Sequence, residues 1–333
     1  MSDSYRIPVY GHAWAQRLLR TALASGRTAH AYLLAGPDHV GKTTLARALA
    51  QALTCESPEP TADGLGACGR CRGCRLAAEQ VHPDHRLIEP DEGVIKIDQV
   101  RDLIREASLS PVEGRYKVFI IRSFDRANAN AANALLKTLE EPNETTRILL
   151  TSSQTAALLP TITSRCQVIR LRAIPGDEIA RALEEHWHVP AEQAALLAGL
   201  SGGRLGWAVA MATDPAAWQR HNSYLEATQA LLGQSLVERL TIAHKLAGDS
   251  ALEEVLHSWL LWWRDVLMYQ LQTPELVLNR HRLPVLEQTA RRTRPADVRR
   301  FLEALMATAD YLRTNVNTIL ALEALLLKAP RPM

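Results

Sequence analysis

Strands alternating with helices through about residue 171, and helices alone after Pro175, predict a parallel α/β domain followed by an all-helical remainder. Two observations carry that expectation. Short apolar runs such as Ala31–Ala35, Lys117–Ile121 and Arg147–Thr151 are separated by segments of helical period, and beyond Pro175 the apolar residues recur only at helical spacing. At 333 residues, 47% hydrophobic and 22% charged, the chain is ordinary for a globular protein and long enough for two or three domains.

In chain order, His12 to Arg27 places Leu18, Leu19, Ala22 and Leu23 on one helical face and stops at Ser25-Gly26. Ala31–Ala35, bounded by Gly36-Pro37, reads as a buried strand, and Thr43 to Thr54 as a helix. Residues 56–75 are rich in Gly, Pro, Cys and Arg and read as an irregular insertion. Ile88, Val94–Ile97 and Lys117–Ile121 are strand material, with a helix from Asp98 to Ala107 for which Asp98 is the expected N-cap. Asn130 to Glu141 predicts a helix that stops before Pro142, and Arg147–Thr151 and Gln167–Leu171 complete the strands. A short helical block then runs to about Thr213, and a Leu-rich one to Lys328. Proline joints at Ile174-Pro175 and Asp214-Pro215 mark the expected boundaries.

Charge and hydropathy exclude several classes. Lys+Arg 38 against Asp+Glu 36 gives a net charge of +2, so a strongly cationic nucleic-acid surface is not the chain's main character, although a local patch remains open. Aromatics at 5% leave little for a stacking platform. No run approaches the ~18–20 apolar residues of a membrane span. The N-terminal MSDSYRIPVYGHAW lacks the layout of a secretory leader, so a cytoplasmic location without membrane contact is expected.

Gly36 to Thr44 (GPDHVGKTT) fits GxxxxGK[ST] between a predicted strand and a predicted helix. Gly36 and Gly41 let the loop turn so that backbone N–H groups ring a phosphate, Lys42 reaches the outer phosphates, and Thr43 offers a hydroxyl to Mg²⁺. Hydrolysis also needs a carboxylate at the end of a neighbouring strand. The best strand for it, Lys117–Ile121, runs instead into Arg122-Ser123, and Asp125 is expected to cap the next helix.

Cys55, Cys68, Cys71 and Cys74 form a C-x12-C-x2-C-x2-C set. Two-residue gaps let thiolates converge on one ion, and four sulfurs satisfy a closed tetrahedral Zn²⁺ site of structural type. An iron–sulfur cluster is the rival, without the proline that follows the last cysteine in the ferredoxin run. His82 and His85 read as surface or packing residues, not ligands, and Cys166 as a small buried residue. On spacing alone, Arg165 is either a surface ion-pair partner or a cation reaching a neighbouring subunit's nucleotide. Trp259, Trp262 and Trp263 fall on one helical side and read as core, with an intersubunit contact left open.

Taken together, His30–Leu34 with its phosphate loop, the four cysteines, His82-Pro83-Asp84, Ile95–Arg101, Asn133–Pro142 (NALLKTLEEP) and Thr163–Cys166 (TSRC) occur in an order that resembles the delta-prime family of bacterial DNA polymerase III clamp-loader subunits, of the AAA+ class. Asn315–Lys328 looks like that family's final helix. The resemblance implies an AAA+ P-loop α/β domain over 1–172 with a zinc-binding insertion at about 55–75, a small helical lid over 173–212, and an all-α collar over 213–333 that joins five subunits in a ring. It implies zinc at the four cysteines, and ATP or ADP with magnesium bound without turnover at Gly36, Gly41, Lys42, Thr43 and Thr44, with Thr151 at the sensor position. It makes Arg165 a finger acting in trans on a motor subunit's ATP. The implied partners are the delta and gamma/tau subunits, the sliding clamp and primed DNA. Around Ser201–Ala208 only Arg204 is a candidate for the lid arginine, and the aligned place falls near Gly206. The alternative within the family is a hydrolysing gamma/tau-like motor, against which Arg122-Ser123 and the absence of further C-terminal domains argue. Outside it stands a zinc-stabilised nucleotide-binding scaffold with no part in replication.

Overall fold

The computed structural model describes residues 5–59, 65–249, 251–312 and 316–333. The chain divides into two compact units, one comprising Met1–Ala182 with Gly202–Trp207, the other Leu183–Ser201 with Ala208–Met333.

The first unit runs α1 (Ala13–Ala24), β1 (Ala31–Ala35), α2 (Lys42–Leu53), α3 (Arg72–Ala78), β2 (His85–Ile88), α4 (Ile97–Ala107), β3 (Lys117–Ile121), α5 (Ala129–Glu140), β4 (Thr146–Ser152), α6 (Pro160–Thr163) and β5 (Gln167–Arg170). The five strands are all parallel, in the order β2-β3-β4-β1-β5. The central strands β1 and β4 are buried at every position, which is why AYLLA and TRILLTS read as continuous apolar runs. The edge strands β2 and β5 carry exposed positions. One sheet face packs with Leu45, Leu49 and Leu53 of α2. The other packs with Val100 and Leu103 of α4 and Leu135 and Leu139 of α5. This layering brings the C-terminal ends of β1, β3 and β4 together, where open α/β sheets bind ligands.

All later elements among the described residues are helical. They are α7 (Gly176–Trp187), α8 (Ala191–Ser201), α9 (Leu205–Thr213), α10 (Pro215–Ala230), α11 (Leu236–Ala247), α12 (Leu252–Gln270), α13 (Leu283–Arg291), α14 (Pro295–Tyr311) and α15 (Thr318–Leu326), with short 3₁₀ turns between some of them. Asp214 caps α10 by accepting the Ala216 N–H at 2.9 Å, so the Asp-Pro joint is a helix start. Trp259, Trp262 and Trp263 of α12 are fully buried in the second unit's core, as their spacing predicts. Trp259 donates to the Tyr224 carbonyl at 2.9 Å, and Trp263 to Thr228 Oγ1 at 2.8 Å. Buried Arg239 of α11 donates to the carbonyls of Leu231, Leu326, Ala329 and Pro330. No helix among the described residues is long and apolar enough to cross a membrane.

Three expectations are corrected. Val94–Ile97 is not a strand: Asp91–Val94 and Ile95–Ala127 make isolated bridges, and Ile97 already begins α4. Asp98 is not the cap of α4, because the helix starts one residue earlier and the Lys96 N–H is taken by Gln99 Oε1 at 2.9 Å. Asp125 does not cap α5, because a 3₁₀ turn at Phe124–Arg126 intervenes and Asn128 Oδ1 accepts the Ala131 N–H at 2.8 Å. Asn315, where the last helix was expected to begin, lies outside the described residues.

Candidate functional site

The phosphate loop joins β1 to α2 as its spacing predicts. Gly41 is the N-cap of α2 at φ 107°, a conformation open to glycine. A Cβ on Gly36 would meet the Leu171 carbonyl oxygen at 2.4 Å, so the loop starts tight against the end of β5. Lys42 is 7% exposed, and its Nζ donates to the carbonyls of Gly36 and Pro37, both at 2.7 Å, and to Asp38 Oδ1 at 3.1 Å. Burial lowers its pKa, and Asp38 pulls it back up. The ammonium is thus held inside the ring of backbone that would cradle a phosphate. Thr43, half-buried, and Thr44, exposed, stand in the first turn of α2.

The groups expected to complete a hydrolytic site are different in kind. At the end of β3, exposed Arg122 pairs with Glu89 at 2.6 Å, and its charge bears on Lys42. Ser123 follows at φ 51°, and its N–H donates to Thr151 Oγ1 at 2.9 Å. Thr151 is buried near the end of β4. Asp125 is spent on Ser153, accepting its hydroxyl at 2.9 Å and its N–H at 3.3 Å. At the start of α9, the Gly206 N–H donates to the His39 carbonyl at 2.8 Å, and a Cβ there would meet that oxygen at 2.9 Å. The loop and the helix touch too closely for a side chain at 206. Arg204 lies 5.7 Å from the centroid of the Trp207 ring.

The four cysteines come together as their spacing predicts. Their sulfurs all lie within 4.8 Å of one another, and Cys68 and Cys74 are 3.8 Å apart, the separation a tetrahedral ion with ~2.3 Å bonds to sulfur requires. Backbone N–H groups of Cys68, Cys71 and Cys74 donate to the sulfurs of Cys55, Cys68 and Cys71 at 3.3, 3.3 and 3.4 Å. Burial raises the Cys55 and Cys74 thiols. At Cys68 burial also acts upward, but the N–H groups of Arg70 and Cys71 and two neighbouring thiols outweigh it and bring the pKa down to about 7. Four sulfurs so close together are chemically suited to a divalent cation, which binds them as thiolates. The cluster can hold a metal ion.

Behind this cluster lies a polar anchor that the sequence shows only as a motif. Asp84 is 3% exposed and accepts the N–H groups of Val112, Glu113 and Gly114 at 2.6, 2.8 and 2.7 Å. His82 and His85 stack at 4.2 Å, and His85 Nε2 lies 2.9 Å from Thr54 Oγ1, one residue before Cys55. Burial holds His85 down to about 3. Both are packing residues, as expected. Burial pushes the Asp84 carboxyl up, but the three N–H bonds prevail and its pKa falls below the ordinary 3.8. That stabilisation is fully present above pH 3.8 and is lost as pH falls through the lower folded value. Asp84→Asn should cost about 3 kcal/mol in urea unfolding at pH 7, with the gap to wild type closing below about pH 4. A constant gap across that range would contradict the assignment.

Arg165 sits just past α6, and its side chain is 34% exposed. It pairs with Glu140 at 2.6 Å, a partner the sequence motif does not reveal. Cys166 is only partly buried, not fully as expected, and packs against the core that includes Leu135 and Leu139 of α5. Burial pushes its thiol up to about 12, which favours the protonated form.

The parallel sheet, its strand order and the loop at the end of β1 define an α/β protein of the P-loop class. The family described as DNA polymerase III, delta subunit, matches residues 11–175. The DNA polymerase III subunit delta′ of Pseudomonas aeruginosa is 35% identical over 330 residues, covering 95% of this chain and 96% of that protein. The same subunit of Bacillus subtilis is 30% identical over 93% of this chain and 94% of its own. The DNA polymerase III subunit tau of Escherichia coli is 34% identical over 73% of this chain but 40% of its own length. The chain belongs to the DNA polymerase III subunit delta′ family.

Proposed function

We propose that this protein is the stationary, non-hydrolysing subunit of a five-membered clamp loader in the cytoplasm. It joins delta and gamma/tau subunits, helps load the sliding clamp onto primed DNA, and lends Arg165 to the ATP of an adjoining motor subunit. The observation that carries this is the end of β3, where Arg122 and Ser123 replace the carboxylates that would hold magnesium and orient water. Family membership over nearly the whole chain supports the assembly. The division into an α/β domain over 1–172, a lid over 173–212 and a collar over 213–333 belongs to this proposal.

Gly36, Gly41, Lys42, Thr43, Thr44 and Thr151 would hold ATP or ADP with magnesium. Zinc at Cys55, Cys68, Cys71 and Cys74 would be structural, since soft thiolates favour it and four protein ligands leave no open position.

The test is clamp loading by the reconstituted assembly with and without this chain; loading at full rate without it would overturn the role. The isolated chain should bind a fluorescent ADP analogue without turning over ATP. Lys42→Ala should weaken that binding by roughly 30-fold or more, the cost of removing a charged donor from phosphate. ATP turnover by the isolated chain that Lys42→Ala abolishes would instead identify a motor subunit.

A further inference from the structure

We propose that Glu140 is the positioning residue that aims Arg165 at the neighbouring nucleotide. This rests on the trans role given to Arg165 above. The guanidinium is held at both terminal nitrogens: Nη2 lies 2.6 Å from Glu140 Oε1, and Nη1 donates to the Thr161 carbonyl at 3.0 Å and to Ser164 Oγ at 3.3 Å. Thr161 and Ser164 belong to arginine's own turn, where its backbone N–H also returns to the Ile162 carbonyl. Those bonds curl the side chain against that turn but give it no reference outside it.

Glu140 supplies the reference. It closes the last turn of α5, whose Ala131, Leu135 and Leu139 are buried against the sheet. The ion pair therefore ties the tip of a long side chain to the α/β core. Two guanidinium donors, both on Nη1, are taken by Thr161 and Ser164, and Nη2 is paired by charge with Glu140, so part of the five-donor fork stays open to a phosphate oxygen. A planar fork fixed on two sides presents the remaining donors in one direction.

The pair contributes little to folding. Its side chains are 34% and 48% exposed, and exposed ion pairs are weak, so removing Glu140 leaves the buried face of α5 intact. Its effect is on orientation, where a misplacement of about 1 Å costs up to ~100-fold in rate.

The experiment is steady-state ATPase of the reconstituted assembly in which only the site facing this chain is competent. Glu140→Ala should lower kcat about 10-fold with KM within about twofold, while the thermal midpoint of the variant chain stays within a few degrees of wild type. Glu140→Gln keeps an acceptor and should recover most of the rate. In an Arg165→Ala background, Glu140→Ala should have no further effect, since it acts only through that arginine. An unchanged rate for Glu140→Ala beside a large loss for Arg165→Ala would overturn the positioning role alone. So would an equal further loss in the double variant, the mark of a general structural defect. If Arg165→Ala itself changes nothing, the trans reading fails first and the role of Glu140 with it.

Discussion

Arg165→Ala is expected to lower turnover at the adjoining site of the assembled complex by about 10³-fold, with KM little changed. Such a factor corresponds to about 4 kcal/mol of transition-state stabilisation. It is large because a fixed guanidinium meets charge that develops on the phosphoryl group in a site closed to water. Arg165→Lys should not restore the rate, since an ammonium lacks the planar fork. Stability should barely move, because the arginine is about a third exposed and its ion pair with exposed Glu140 is weak. Single-turnover measurements on the assembly would separate the chemical step from binding. Unchanged rates at every site would leave Arg165 as a surface ion-pair residue, the other reading its spacing allows.

Removal of the metal should have the second largest effect. Metal analysis should find one zinc per chain, lost on chelation and in Cys71→Ser. The thermal midpoint should then fall by about 10 °C, through local unfolding around the cluster. The cost is not confined to the insertion, because Cys68 and Cys74 are core residues packed among the side chains that cover α2. Without an ion, four sulfurs within 4.8 Å of one another must share the few N–H groups that reach them. Iron in place of zinc would refute the assignment, and a midpoint unchanged by chelation would remove the structural role.

Much of this architecture is legible in the sequence because the central strands are buried on both sides. AYLLA and TRILLTS have no other place to go, and the GPDHVGKT loop between strand and helix follows from them. Val94–Ile97 misleads because an apolar run says nothing about neighbours, and only single bridges are available to it. Asp98 and Asp125 mislead for a related reason. An aspartate near a helix start is a good cap only if the helix begins next to it, and boundaries shift by a residue or two with distant contacts. The cysteine site is legible because its ligands are dictated by local spacing. Glu140 is not, since its partner lies 25 residues further along the chain and meets it only through the packing of α5 and α6. Asp84 is equally hidden: its three donors come from Val112 to Gly114.

The left-handed conformation of Ser123 bears on what rebuilding the site would take. Restoring a carboxylate pair at the end of β3 would need aspartate for Arg122 and glutamate for Ser123, two changes at once, with the second seated at φ 51° where its N–H donates to Thr151. Gly206 adds an obstacle, since an arginine there would collide with the His39 carbonyl. A carboxylate pair at the end of β3 and a side chain at 206 would thus require three coordinated changes, of which the one at Gly206 alone forces the phosphate loop and α9 apart.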